Sequence, residues 1–248
     1  MAAAGRRAVV TGGGRGIGRA VAAALTRSGL DVTVLGRSAA ALEDVVAAGE
    51  AAACRVADVT DEAALSAILG DLNVDILVNN AGIADSAPFA RSDLALFRRL
   101  MTVNFESVVT AARAVLPGML ARGFGRIVSI ASVAGLKGYP YVTAYCASKH
   151  AVVGLTRALA QEVARSGVTV NAICPGYVDT DLVRDGAARV AAKTGRPREE
   201  ITAAFHRHNP QGRLITVEEV AGAVVWLASD EAAAVNGQAI AIDGGETP

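Results

Sequence analysis

Tyr145 and Lys149 lie four residues apart in Tyr145-Cys146-Ala147-Ser148-Lys149, a spacing that puts both side chains on one face of any helix that carries them. A free phenol titrates near about 10 and a neighbouring ammonium favours its ionised form, so the pair predicts a tyrosine able to exchange a proton at neutral pH. Lysine occurs only at positions 137, 149 and 193 of a chain that otherwise uses arginine, and arginine is not used at 149. Ser132, which follows a Val/Ile-rich run, and Asn104, in Val103-Asn104-Phe105, are the other polar candidates. Taken singly they read as a turn hydroxyl and a buried helix amide, and Lys149 as a surface lysine; only the combination points to chemistry.

A second constellation is Thr11-Gly12-Gly13-Gly14-Arg15-Gly16-Ile17-Gly18, set between a short apolar run and a stretch of helical period. Glycines there let the backbone turn tightly and approach a pyrophosphate, whose charge the helix N-terminus stabilises. The implied ligand is a dinucleotide. An acidic residue about 20 positions further on usually receives a ribose 2′-hydroxyl. Here that place is Gly36, followed at once by Arg37. Arg37 with Arg15 offers two guanidinium groups to a 2′-phosphate, so NADP(H) is the expected cofactor and NAD(H) the alternative, with Arg37 then only a solvated loop arginine. Asp58 has two readings, as an acceptor for the adenine amino group or as a cap at the start of the next helix beside Asp61.

These residues need a frame. Short Val/Ile-rich runs at Arg7–Thr11, Asp31–Leu35, Ala52–Val56, Ile76–Asn79, Gly125–Ser129, Thr169–Cys174 and Ala239–Ile242 predict strands. They alternate with predicted helices at Ile17–Ser28, Ala40–Ala48, Asp61–Gly70, Leu94–Leu120, Ala144–Arg165 and Val217–Leu227, with Thr216 a second candidate cap and Pro117 expected to kink or end the fourth helix. The strands are continuous rather than alternating in polarity, as strands covered on both faces are, so the expected class is α/β with a doubly wound parallel sheet. Ligands in such sheets bind beyond the carboxyl ends of the strands, where the glycine loop, Asn79-Asn80-Ala81-Gly82, Ser132 and Tyr145 all fall. From about 176 to 215, Gly186, Gly195, Pro197, Pro210 and Gly212 break the pattern into short helical pieces, an excursion from the sheet.

Composition sets the outer bounds. The chain has 248 residues, 52% hydrophobic and 19% charged, enough for one large core, and one domain over 1–248 is expected. Twenty-four basic and twenty-four acidic residues cancel, which argues against a nucleic-acid partner or an anionic membrane surface. No apolar run is long enough to span a membrane, no signal-type segment follows Arg6 and Arg7, and Cys54, Cys146 and Cys174 show no metal or disulfide spacing, so the expected location is cytoplasmic. His206 and His208, two apart, do not share a helix face, and no metal site is expected; His150 reads as a helix-surface residue.

TGGGRGIG, NNAG, Ser132, YCASK and Pro175-Gly176, in this order and spacing, resemble the short-chain dehydrogenase/reductase family over essentially the whole chain. The resemblance implies a Rossmann-type fold with Tyr145 as general acid/base, Ser132 on the substrate carbonyl or hydroxyl, and Lys149 on the nicotinamide ribose while lowering the tyrosine pKa. Asn104 matches the residue that orients a proton-relay water. By the same resemblance Gly12, Gly14, Arg15, Gly16, Ile17 and Gly18 hold the phosphates, and Asn79, Asn80, Ala81 and Gly82 line the cofactor channel. Asp58 and Val59 then flank adenine, while Pro175, Gly176, Val178 and Thr180 meet the nicotinamide end. It also implies a homotetramer through the two long helices, whose apolar content burial within one chain would equally explain.

The family's excursion covers the substrate, and here residues 181–213 carry seven basic against four acidic side chains, a net charge of +3. That suits an anionic carrier such as coenzyme A or a phosphopantetheine arm, or is simply a solvated face. Tyr139 and Tyr141 either wall the substrate pocket or pack the loop before the catalytic helix. The chain is similar to bacterial 3-oxoacyl-thioester reductases and hydroxyacyl-CoA dehydrogenases. The leading expectation is therefore an NADP(H)-dependent reductase of a β-ketoacyl thioester or related ketone. An NAD(H)-dependent secondary alcohol or hydroxyacyl-CoA dehydrogenase, and a nonenzymatic nucleotide-binding protein on the same fold, are the alternatives.

Overall fold

The computed structural model describes residues 5–247, and the side chain of Lys193 also lies outside what is described. Seven parallel strands form one sheet in the order β3-β2-β1-β4-β5-β6-β7. They are β1 (Arg7–Thr11), β2 (Asp31–Gly36), β3 (Ala53–Val56), β4 (Ile76–Asn79), β5 (Gly125–Ile130), β6 (Val168–Pro175) and β7 (Ala239–Ile242). The five inner strands are buried along almost their whole length, while β3 and β7, at the edges, are partly exposed. This is the Rossmann-type, doubly wound sheet that the apolar runs predict.

Nine α-helices connect the strands among the described residues: α1 (Gly16–Arg27), α2 (Ala39–Ala47), α3 (Glu62–Asp71), α4 (Leu94–Met101), α5 (Ser107–Arg122), α6 (Thr143–Val163), α7 (Asp181–Thr194), α8 (Arg198–His208) and α9 (Val217–Ala228). Alternate residues of one strand feed opposite cores, as a period of two requires. Val10 packs with Val21 and Leu25 of α1 and Val224 and Leu227 of α9; Val9 packs with Leu65 of α3, Val115 and Met119 of α5 and Val163 of α6. The chain reverses direction across the sheet between β1 and β4, which opens a crevice beyond their carboxyl ends.

The predicted fourth helix is not one helix. A single π-helical turn, Thr102–Glu106, separates α4 from α5 and carries Asn104; such turns are frequent at functional sites. Nor does Pro117 end it, since α5 continues to Arg122 and stops where Gly123 turns left-handed at φ +66°. Val115 and Met119, buried on either side of the proline, hold that stretch against the sheet, so packing outweighs the one lost backbone bond. Asp61 and Thr216 cap α3 and α9 as expected, Thr216 in a reciprocal capping box with Glu219. The excursion from 176 to 215 contains α7 and α8, and a parallel bridge between Val178 and Ile215 closes its base.

Candidate active site

Side chains cap the N-termini of α2, α3, α4 and α9 (Ser38, Asp61, Asp93 and Thr216), but Arg15, in the cap position of α1, makes no such bond. The first amides of α1 have no side-chain cap, as is also true of α6, α7 and α8, but only α1 starts directly from the glycine loop beyond β1, a place that fits a phosphate group. Gly12 and Gly16 hold the loop at φ +65° and +53°. A Cβ on Gly18 would collide with the Gly12 carbonyl, and one on Gly16 would lie 3.4 Å from Cγ2 of Thr180, so the segment after β6 crosses the loop. The glycines thus serve close approach as well as turning.

Asn80 and Ala81 stand against the same loop. The Asn80 amide donates to the carbonyls of Thr11 (2.9 Å) and Gly12 (3.1 Å), and the backbone N–H groups of Asn80 and Ala81 donate to Thr11 Oγ1 at 3.0 and 3.1 Å. Thr11, the first residue of the glycine motif, thus has a bonding role that the motif does not reveal, because it depends on β1 lying beside β4. Gly82 faces Asn104 and Lys149: a Cβ there would be 3.3 Å from Asn104 Oδ1 and 3.7 Å from Lys149 Nζ. Asn104 is buried and fully engaged, accepting from Ile83 N (2.8 Å) and donating to Ile83 O (2.9 Å) and Ser148 Oγ (3.1 Å).

At the ends of β2 and β3, Arg37 Nη1 lies 4.0 Å from Asp58 Oδ2, with the Arg37 side chain 75% exposed. Arg15 is exposed as well. Asp58 Oδ1 accepts from Thr60 N and Oγ1 at 2.9 and 2.8 Å, and these bonds, the backbone one first, hold its carboxyl below the usual carboxylate range. Since Asp61 caps α3, Asp58 is not that helix's cap; its second oxygen faces Arg37. Val59 is buried and lines a small cavity of about 70 Å³ with Thr102, Glu106, Ser107 and Thr110.

Ser132, Tyr145 and Lys149 come together where a tight 3-10 turn, Val133–Gly135, packs on α6. Ser132 starts that turn, its Oγ accepting from Ala134 N at 3.1 Å. A Cβ on Gly135 would lie 2.7 Å from the Lys149 carbonyl, so only glycine lets the turn sit this close to the helix. The Ser132 hydroxyl is near enough to the Tyr145 phenol to favour its ionised form. Lys149, buried, donates from Nζ to the Ile130 carbonyl at 2.8 Å and stands 5.8 Å from the centre of the Tyr145 ring.

Burial pushes the Tyr145 phenol above its ordinary pKa, and the Ser132 hydroxyl pulls only partly the other way. The expectation that the neighbouring ammonium favours the phenolate is thus opposed by desolvation, which raises the phenol instead. The same desolvation lowers Lys149 to about 8, and its ammonium is drawn onto Ile130. Tyr145 is nevertheless only half-buried as a residue and so remains reachable from the crevice.

The remaining candidates disperse. Tyr139 donates to Glu246, and Tyr141 is exposed in a left-handed conformation at φ +67°. His150 points Nδ1 at the Cys146 carbonyl one turn back (2.9 Å). Arg184, Arg196 and Arg213 pair with Asp179 and Asp181, Glu200, and Glu219, so part of the excursion's basic charge is neutralised locally. No helix among the described residues is long and apolar enough to cross a membrane, and none of their His, Cys, Asp and Glu side chains group as a metal site would require.

Comparison with known proteins agrees with this geometry. Residues 6–190 match the family described as short chain dehydrogenase. The chain is 41% identical to 2-(S)-hydroxypropyl-CoM dehydrogenase 3 of Xanthobacter autotrophicus over 250 residues, 96% of this chain and 95% of the relative. It is 36% identical to the 3-oxoacyl-acyl-carrier-protein reductase FabG of Haemophilus influenzae, covering 97% of this chain and 98% of that one. The crystal structure of an actinorhodin polyketide ketoreductase variant with NADPH superposes with a TM-score of 0.93 at 35% identity, over 98% of this chain and 97% of the other. With a match over most of its length and relatives aligned end to end, the chain belongs to the short chain dehydrogenase family and is an NAD(P)-dependent oxidoreductase.

Proposed function

We propose that the protein reduces the ketone of a β-ketoacyl thioester or a related carbonyl compound with NADP(H). The observation that carries this reading is the grouping of Ser132, Tyr145 and Lys149 beyond the carboxyl end of β5, at the same edge of the sheet as the glycine loop and the start of α1. When bound, the nicotinamide cofactor supplies the hydride. Ser132 donates to the substrate oxygen and fixes its direction, and Tyr145, raised in pKa by burial, is protonated at neutral pH and gives its proton to that oxygen as negative charge develops. Lys149 holds positive charge beneath the phenol and so eases the transfer, with Asn104 orienting the relay water that returns a proton. A general acid with a high pKa suits the reductive direction, since it begins the reaction carrying its proton.

Gly12, Gly14, Arg15, Gly16, Ile17 and Gly18 would hold the phosphates, Asp58 and Val59 the adenine, Asn80, Ala81 and Gly82 the ribose side, and Pro175, Gly176, Val178 and Thr180 the nicotinamide end. NADP(H) is favoured over NAD(H) by Gly36 in the acid's place and by the exposed guanidinium groups of Arg15 and Arg37. The NADPH in the related ketoreductase structure points the same way. The thioester reading rests on the carrier-protein reductase among the relatives and on the basic excursion. An NAD(H)-dependent alcohol dehydrogenase is the second reading, favoured by the partial pairing of Arg37 with Asp58. We further place the enzyme in the cytoplasm, on its three free cysteines, as one domain that assembles into a homotetramer through α5 and α6.

The test is absorbance at 340 nm with acetoacetyl-CoA and NADPH or NADH in parallel. Faster loss with NADPH is expected. Preference for NADH overturns the Arg15 and Arg37 assignment, and no consumption of either although both bind overturns the thioester assignment.

A further inference from the structure

Glu246, two residues from the end of the chain, is buried, its side chain 3% exposed. The tail that carries it is folded back by Asp243, whose carboxylate accepts from Gly245 N (2.9 Å), Thr247 N (2.8 Å) and Thr247 Oγ1 (2.5 Å). Glu246 thereby meets three separate parts of the chain. Its Oε1 accepts from the Tyr139 hydroxyl and lies 3.5 Å from Lys137 Nζ, which also donates to the Glu246 carbonyl at 2.8 Å. The same Oε1 is 3.6 Å from Nδ1 of His208, the last residue of α8. Oε2 faces Gly176, where a Cβ would stand 3.3 Å away, and has no hydrogen-bond partner. The tail also packs directly on the exit of α8, since a Cβ on Gly244 would collide with Asn209.

A buried carboxylate costs several kcal/mol unless it is paired, and Glu246 is held here by Lys137, Tyr139 and His208 together, which ties its burial to this junction. What it joins is informative. Lys137 and Tyr139 belong to the loop between Ser132 and Tyr145, and His208 belongs to the excursion beyond β6. Tyr139 and His208 meet edge to face with ring centres 6.0 Å apart, and within the excursion Tyr177 stacks on Phe205 of α8 at 4.5 Å and approaches His208 at 5.3 Å. Burial, followed by the charges of Glu246 and Tyr145, pushes the Tyr177 phenol up to about 12.

We propose that Glu246 is a positioning residue that clasps the loop before α6 to the C-terminal end of α8 beside Tyr145, and so sets the affinity for the carbonyl substrate. The inference rests on the carbonyl-reductase reading of the site. It acts through Tyr139 and His208; Glu246 touches neither the reacting atoms nor the glycine loop after β1, and its one approach to the proposed cofactor residues is Oε2 facing Gly176.

The test compares full-length wild type with Glu246→Gln, Glu246→Ala and Tyr139→Phe in steady-state kinetics with acetoacetyl-CoA and a panel of simple ketones. Hydrogen exchange of segments 136–142 and 198–209 runs alongside, without substrate. Glu246→Ala is expected to raise KM about tenfold or more, the scale of one lost charge-assisted hydrogen bond, with kcat and NADPH affinity little changed. Glu246→Gln, which keeps an acceptor for Tyr139, should recover part of the loss, and Glu246→Ala combined with Tyr139→Phe should cost less than the two separately. Exchange in both segments should accelerate together in Glu246→Ala. Unchanged KM and exchange overturn the proposal, as does a variant that loses kcat, NADPH affinity and KM in parallel, which marks a merely structural residue. Wild type inactive on every ketone refutes the reductase reading instead, and coupled exchange still decides the clasp.

Discussion

Lys149 is built to be uncomfortable before ligands arrive, and replacing it with methionine measures by how much. Desolvation lowers its pKa from 10.5 to about 8, so at neutral pH the folded chain holds an ammonium that it binds less tightly than the unfolded chain does. That difference costs the folded state about 3 kcal/mol at pH 7. Lys149→Met removes the charge, conserves most of the volume, and loses the 2.8 Å bond to the Ile130 carbonyl, a loss of about 1 to 2 kcal/mol. The variant without cofactor should therefore be more stable than wild type at pH 7, by about 1 to 2 kcal/mol, or about 2 to 8 °C in Tm for a chain this long.

The sign of the pH dependence follows from the lowered folded pKa. Between about 8 and 10.5 the unfolded chain binds the proton that the folded chain has released, so wild type gains stability as pH rises through that window. The advantage of Lys149→Met should shrink above pH 8 and vanish or reverse by about pH 10. Thermal unfolding of both proteins from pH 6.5 to 10, together with NADPH consumption, checks this; turnover should fall about 10²- to 10⁴-fold, as loss of an assisted proton transfer does. A variant less stable than wild type by the same margin at pH 7 and pH 10 would refute the argument, because the lysine would then contribute packing and a hydrogen bond but no buried-charge penalty.

Tyr145→Phe should reduce turnover by about 10²- to 10⁴-fold and leave NADPH binding, read by fluorescence titration, nearly intact; a fully active variant removes Tyr145 from the mechanism. Arg37→Ala should weaken NADP+ about tenfold or more while sparing NAD+, and should barely change Tm, since its 4.0 Å contact with Asp58 is exposed. Gly135→Ala forces a Cβ to 2.7 Å from the Lys149 carbonyl, so it should push Ser132 away from Tyr145; kcat should drop more than NADPH affinity, and equal losses in both would show general damage instead.

Much of the frame was legible because its signals are local. A run such as Ile76-Leu77-Val78 is apolar at every position only if both faces are covered, which identifies an inner parallel strand. Thr216 and Glu219 form a cap that the residue types alone foretell. The fourth helix was misread because periodicity cannot register a single π-helical turn, and because the penalty at Pro117 is local while the packing of Val115 and Met119 that overrides it is not. Thr11 stands in the glycine motif, but its bonds to Asn80 and Ala81 come from strand order, and Glu246, 107 positions from Tyr139, left no local trace at all.

The protonation states of the site were the least legible part, and the reason is physical. Spacing places Tyr145 and Lys149 on one helix face, but whether the pair yields a phenolate depends on which effect is larger, the attraction of the ammonium or the desolvation of the phenol. The turn at Val133–Gly135 and the covered end of β5 decide it for desolvation, leaving Tyr145 protonated and Lys149 weakened as a cation. Both shifts have one cause, so they should relax together. On the proposed mechanism, a substrate oxygen acquiring negative charge beside Tyr145 would stabilise the Lys149 ammonium and draw the phenolic proton in the same event, so relief of both desolvation penalties would favour the reductive direction.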